Sequence, residues 1–144
     1  MQVRDVLNAK GARVVTIDPD ATVHEAIARL VQNNIGSLPV ADPEGHLLGI
    51  FSERDVLRGL HNRGDGFGRM RVGDVMTHDP VTCTPDCDVD EVMGKMSERR
   101  IAKVPVLNDG RLVGIVSVGD VIKVMYERVS SENQHLMTYI HGTF

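Results

Sequence analysis

Residues Thr16 to Leu57 can be laid over Thr82 to Ile122 with a single-residue gap near Glu44, and about fifteen of roughly forty aligned positions are then identical. Identical pairs include Thr16 with Thr82, Pro19 with Pro85, Val23 with Val89, Glu25 with Glu91, Ile35 with Ile101, Pro39 with Pro105 and Val40 with Val106. The match runs on through Gly49 with Gly114, Ile50 with Ile115, Ser52 with Ser117 and Asp55 with Asp120. A short lead repeats as well, V-R-D-V-L at Val3 to Leu7 against V-G-D-V-M at Val72 to Met76. The chain is a duplication, and one copy buries too little apolar surface to stand alone, so the two are expected to pack together.

Each copy reads as strand, helix, strand, strand, helix, and the first is preceded by a lead strand. Val14 to Ile17 is a short β-branched run, after which D-P-D turns the chain into a helix whose T-V-H-E start has capping-box spacing. Val23, Ile27, Leu30 and Val31 recur at helical spacing on one face, and Val89, Met93 and Met96 stand in register in the second copy. Gly94 inside that second helix costs about 1 kcal/mol relative to Ala, which points to close packing against a neighbour. Leu38 to Ala41 and Leu47 to Phe51 form a hairpin around D-P-E-G, and Val104 to Leu107 with Leu112 to Val116 form another around N-D-G. The last helix of each copy begins at Ser52 or Ser117. These patterns divide the chain into a first repeat with its lead (1–62), a Gly/Arg-rich linker (63–71), a second repeat (72–126) and a helical extension (127–144). The linker reads as a helix end and flexible connection, or, more sharply, as a segment whose Arg69 or Arg71 holds a phosphate.

Bulk properties exclude several function classes. A net charge of -4, without basic stripes or interleaved aromatics, gives no general attraction for nucleic acid. No apolar run approaches the ~20 residues that span a bilayer, and the charged start lacks the apolar stretch of a signal peptide, so a cytoplasmic location is expected. Cys83 and Cys87 have C-x3-C spacing without a second pair to complete a metal site, and read as buried or incidental thiols. No Gly-rich phosphate loop, nucleophile elbow or H-E-x-x-H zinc motif occurs, so catalysis is not expected.

The S-L-P-V and K-V-P-V strands, the G-I-F-S-E-R-D and G-I-V-S-V-G-D exits from the hairpins and the V-M-T-x-x-P-V-T lead into the second copy are similar to those of the CBS domain pair, or Bateman module. The resemblance covers about Val3 to Met125 and is nearest to small bacterial proteins that consist of the pair alone, and to the regulatory insert of inosine-monophosphate dehydrogenase, whose catalytic barrel this sequence lacks. It implies an α/β fold of tandem repeats with pseudo-two-fold symmetry, a flat homodimer, and two clefts that hold AMP, ADP or ATP, or else NAD or S-adenosylmethionine. Occupancy would be reported to a regulated protein. No catalytic cofactor, nucleic acid or membrane partner is implied.

By position, the resemblance puts Asp120, Ile115, Ser117, Gly119 and Lys103 in one cleft, with Ile35, Gly36, Ser37, Arg13 and Val15 from the first copy. The other would use Asp55, Ile50, Ser52, Arg54, Thr77 and Val81, with Ile101, Ala102 and Lys103. An ionised Asp can accept both hydroxyls of a ribose diol, Ser hydroxyls and helix-start amides suit phosphate, and Val and Ile can sandwich adenine. On spacing alone, S-x-x-D is also a plain helix-capping pair. A dimeric interaction scaffold with no nucleotide ligand is the alternative reading. Glu53-Arg54 stand where the second copy has Val118-Gly119, so the two clefts are expected to differ in affinity or ligand.

Overall fold

The computed structural model describes residues 1–11 and 13–141. Where a lead strand is predicted before the first copy the chain forms a helix instead, α1 at Val3–Lys10, and the matching lead of the second copy forms α4 at Val72–Val75. Asp5 accepts the Gln2 backbone N–H at 2.9 Å, which satisfies a donor at the start of α1, and Lys10 in the last turn suits the negative end of the helix dipole. The predicted first strand, Val14–Ile17, is likewise reduced to a single parallel bridge. Ile17 N donates to Pro39 O at 3.0 Å and Ala41 N to Ile17 O at 3.1 Å, and Cys83 makes the same pair of bonds with Pro105 and Leu107. Pro19 and Pro85 follow two residues later, and proline has no N–H with which to continue the ladder.

Beyond these points the copies follow the predicted course. Thr22 caps α2 (Val23–Asn33) by accepting from Glu25 N, and Asp88 caps α5 (Val89–Arg99) by accepting from Asp90 N. The antiparallel hairpins pair β1 (Ser37–Ala41) with β2 (Leu47–Ser52) and β4 (Lys103–Asn108) with β5 (Arg111–Ser117), each with a bulge after Val40 or Val106. Between them β3 (Thr77–His78) adds a third strand to the first sheet. The closing helices are α3 (Glu53–Arg63) and α6 (Val118–His141), so the helical extension continues α6; residues 142–144 of that extension lie outside the described residues. No described helix is long and apolar enough to cross a membrane.

Two details of the helical pattern differ from expectation. Val31 is 74% exposed, because Val23, Ala26 and Leu30 already fill the inward stripe of α2. Gly94 faces open space, with no atom within 4 Å of where its Cβ would stand, so no packing constraint accounts for it.

The two lead helices change sides. Val3, Val6 and Leu7 of α1 are buried with Val89, Val92, Met96, Val104, Val106 and Val116, all of the second copy. Val72 of α4 is buried with Ile17, Val23, Leu30, Leu38, Val40 and Phe51 of the first. The backbone bonds that fasten them are the same in both places. Val3 N reaches Cys87 O, Arg4 N reaches Pro85 O and Met1 O accepts from Val89 N; correspondingly, Val72 N reaches Ala21 O, Gly73 N reaches Pro19 O and Met70 O accepts from Val23 N. Leu112 N also donates to Gly45 O at 2.9 Å, joining the two hairpin tips.

Residues 63–71 are not a flexible linker. Gly64–Arg69 form a 3-10 helix that seats Phe67 in the first core, 1% exposed. Its ring lies where a Cβ on Gly59 would stand, 2.1 Å from Phe67 Cε1, so only glycine at position 59 admits it. The first helices of the copies use Ile27, Leu30, Met93 and Met96 in the cores, and so leave none of these for a dimer: Leu30 and Met96 are buried, Ile27 and Met93 half-buried. Among the described residues, exposed large apolar side chains cluster instead on α3, at Leu57 and Leu60, and on α6, at Ile122, Met125, Tyr126 and Val129, with Val31 and Leu48 exposed singly.

Candidate functional site

A cavity of about 240 Å³ lies between the copies, and eight of the ten residues expected around Asp120 line it. They are Arg13, Val15, Ile35, Ser37, Lys103, Ile115, Ser117 and Asp120, joined by Lys10, Val14 and Pro39. Gly36 and Gly119 do not line it; the Gly36 carbonyl accepts from Glu53 N at 3.0 Å and Gly119 is exposed. Each element contributes for a local reason. The β5 strand ends at Ser117, whose hydroxyl accepts from Asp120 N at 3.0 Å while Asp120 Oδ2 accepts from Ser117 N at 3.0 Å, a reciprocal cap that fixes both at the start of α6. The β1 strand supplies Ser37, whose Oγ is the one buried side-chain polar atom among the described residues without a hydrogen-bond partner. An orphan of this kind costs about 1–3 kcal/mol.

Three cations, Lys10, Arg13 and Lys103, share the cavity with one carboxylate. Burial alone would push the Asp120 carboxyl up, but hydrogen bonds from Lys10 and Ser117 outweigh it and hold it below the usual carboxylate range. Burial, reinforced by the neighbouring Lys10 ammonium, pushes the Lys103 ammonium below its ordinary value; Asp120 and Glu53 offset this only in part. A half-buried, destabilised cation beside a second one is an arrangement that an anion relieves.

The Asp55 side is built differently. Asp55 is 6% exposed, and its carboxylate is fully engaged within the chain: Oδ1 accepts from Thr77 Oγ1 at 2.9 Å, and Oδ2 from Ser52 N at 2.9 Å and Ser52 Oγ at 3.1 Å. The nearby cavity, about 170 Å³, is lined by Asp55 and Thr77 but otherwise by Arg58, Gly59, Asn62, Arg63, Phe67, Asp74, Val75 and Met76. None of the other residues expected there lines it. Ile50 is paired with Pro39 and Thr77 in the sheet, Ser52 caps α3, Arg54 and Ala102 are exposed, and Val81 and Ile101 pack against the second core. Arg71 donates to Asp20 O at 2.5 Å, and neither it nor exposed Arg69 lines either of these two cavities.

The asymmetry has a cause in chain length. Val3 and Val72 stand 69 positions apart, whereas Thr16 and Thr82 stand 66 apart, so the first lead is three residues longer. In the second lead α4 stops at Val75, and the chain turns at once into β3, which pairs with Gly49 and Ile50 on the edge of β2 and brings Thr77 to Asp55. In the first lead α1 continues to Lys10, and among the described residues the equivalent edge of β5 receives the Lys10 ammonium in place of a strand, donating to Ile115 O at 2.9 Å and to Asp120 Oδ2 at 2.5 Å. Lys10 is the functional candidate that the motifs miss; a lysine at the end of the longer lead, directly before Gly11, was the available sign of it.

The CBS domain family model matches residues 3–62 and 72–127. Among solved structures, the CBS-domain containing protein ATU1752 from Agrobacterium tumefaciens is 38% identical, with a TM-score of 0.81 over 87% of this chain and 99% of that one. The CBS domain pair of protein MJ0100, solved in complex with 5'-methylthioadenosine and S-adenosyl-L-methionine, is 30% identical, with a TM-score of 0.76 over 89% of this chain and 98% of that one. The CBS domain-containing protein CBSX3, mitochondrial, of Arabidopsis thaliana is 34% identical over 99% of this chain and 73% of its own length.

Proposed function

Because the chain belongs to the CBS domain family, with two copies in tandem, we propose that it is a non-catalytic regulatory module that binds an adenine nucleotide in the Asp120 cleft and reports its occupancy to a partner protein. The observation that carries this reading is the make-up of that cleft: one carboxylate, three cations, an orphan Ser37 hydroxyl and apolar walls from Val15, Ile35 and Ile115. Asp120 would take the ribose diol, Lys103 and Arg13 the phosphates, and the apolar side chains the adenine faces. The adenosyl ligands of the MJ0100 pair support the nucleoside part of the reading. Charge favours phosphorylated ligands over S-adenosylmethionine, whose sulfonium would meet three cations. Calorimetric titration with AMP, ADP, ATP, NAD and S-adenosylmethionine tests it. One binding event per chain is expected, and at 100 times Kd the ligand adds about 2.7 kcal/mol of stability. If none of the five binds or raises the melting temperature, the chain is an interaction scaffold.

The depressed Lys103 ammonium gives this binding a pH dependence. A phosphate beside it raises its pKa in the complex above that in the free protein, so binding takes up a proton wherever the free group is neutral. Affinity is therefore full below the free-state pKa and falls as pH rises through it, in a window lying below the ordinary lysine value of 10.5. Titrations across the alkaline range should show this fall in the native chain and its loss in Lys103→Met. An alkaline profile unchanged by that substitution would remove Lys103 from the phosphate site.

The module is proposed to work as a homodimer through α3 and α6. Leu57 and Ile122, and Leu60 and Met125, are equivalent positions of the two copies, all exposed, so both closing helices present the same apolar face. Light scattering at micromolar concentration should give twice the chain mass of 15.8 kDa, reduced to one chain by Leu60→Asp with Met125→Asp. A monomeric native protein would overturn this assembly.

A further inference from the structure

We propose that Lys10 is a phosphate-operated latch on the Asp120 cleft, resting on Asp120 in the free protein and passing to a ligand phosphate on binding; the proposal rests on the nucleotide reading above. The geometry of one oxygen carries it. Asp120 Oδ2 already accepts from Ser117 N at 3.0 Å and from Lys10 Nζ at 2.5 Å, which uses both of its lone pairs. A ribose diol that engages both carboxylate oxygens needs one of those places. Ser117 N cannot give up its place without undoing the cap of α6, whereas Lys10 can, since it ends α1 on a flexible stem and is followed by Gly11 at φ 91°.

Displacing Lys10 without a new partner would leave an ammonium facing Lys103 and Arg13 in a half-buried cleft. A nucleoside alone satisfies Asp120 and strands Lys10, while a nucleotide satisfies both in one step. The latch thus makes the cleft discriminate by phosphate rather than by ribose. The first copy shows what its absence looks like: Asp55 Oδ1 is held by the neutral Thr77 hydroxyl on β3, which has no charge to hand over, and Arg58, on the helix that Asp55 itself helps to start, stands 3.8 Å away.

The test compares adenosine with ADP by calorimetry on the native chain, Lys10→Met and Lys10→Gln. The native protein should bind ADP at least about tenfold tighter than adenosine (~1.4 kcal/mol). Lys10→Met should tighten adenosine and weaken ADP, compressing the ratio about tenfold. Lys10→Gln keeps a donor for Ile115 O without the charge, guards against a folding failure of the methionine variant, and should compress the ratio equally. A ratio unchanged in both variants overturns the latch alone: a mere plug would tighten both ligands together, and a mere structural tie would weaken both together. A native chain that binds neither ligand overturns the nucleotide reading, and the latch falls with it.

Discussion

Asp120→Ala should weaken the best-bound adenine nucleotide by about 10- to 150-fold, the equivalent of the ~1.5–3 kcal/mol that hydrogen bonds to a charged group contribute. Its effect on the free protein should be much smaller. The substitution removes the acceptor for Ser117 N, typically worth ~1 kcal/mol at a helix cap, and an ion pair to Lys10 that is partly exposed on both sides and therefore worth less. Asp55→Ala should give the reverse signature. Its carboxylate is buried and ties Ser52 to Thr77, so its loss takes the acceptor from three donors at about 1–3 kcal/mol of stability, with nucleotide affinity changed less than about twofold. Calorimetry and thermal melts on the two variants separate ribose anchor from capping acid. If Asp120→Ala melts early but binds normally, the anchor assignment is wrong; if both variants lose affinity alike, the sites are equivalent and the asymmetry has been misjudged.

Phe67→Ala should cost about 3–5 kcal/mol, a large part of the ~5–15 kcal/mol that holds a typical domain together. The melting temperature would fall by roughly 6–20 °C. The ring is sealed against Gly59 and shares the first core with Val23, Leu30 and Phe51, so its removal leaves a void that the 3-10 helix cannot close without moving. Gly59→Ala attacks the same contact from the other side and should also destabilise, by about 1–3 kcal/mol through overpacking. The double variant should then be more stable than the sum of the two losses, because the new methyl group occupies space that the ring has left. A cost under about 1 kcal/mol for Phe67→Ala would restore residues 63–71 to the status of a connecting loop.

What could be read from the sequence followed from the strength of local signals. The hairpins were legible because β-branched runs flank turn residues, and Ser52 and Ser117 because a hydroxyl three residues before an acid has a definite use at a helix start. Asp120 and its neighbours were legible through the duplication and the family pattern together. The lead helix was not, although Val3, Val6 and Leu7 have helical spacing, because a five-residue segment with two β-branched residues is too short for that spacing to tell helix from strand. Phe67, flanked by glycines, carries no periodicity that would reveal its burial. Lys10 lies 110 positions from Asp120, and a side-chain contact across that distance leaves no local mark. Most instructive is the pair Asp55 and Asp120. One motif has two outcomes, decided by three residues of lead far from either aspartate.

The crossing of the lead helices bears on how this chain comes off the ribosome. The slot for Val72 is finished as soon as α4 emerges, since every residue that lines it has already been made. The slot for Val3, Val6 and Leu7 includes Val116 and Val121, and does not exist until most of the chain has been synthesised. At ~5–20 residues per second, α1 must therefore wait roughly 5–25 s for the second copy to follow it, with its apolar stripe unsheltered and an early segment kept in reserve to close a late one.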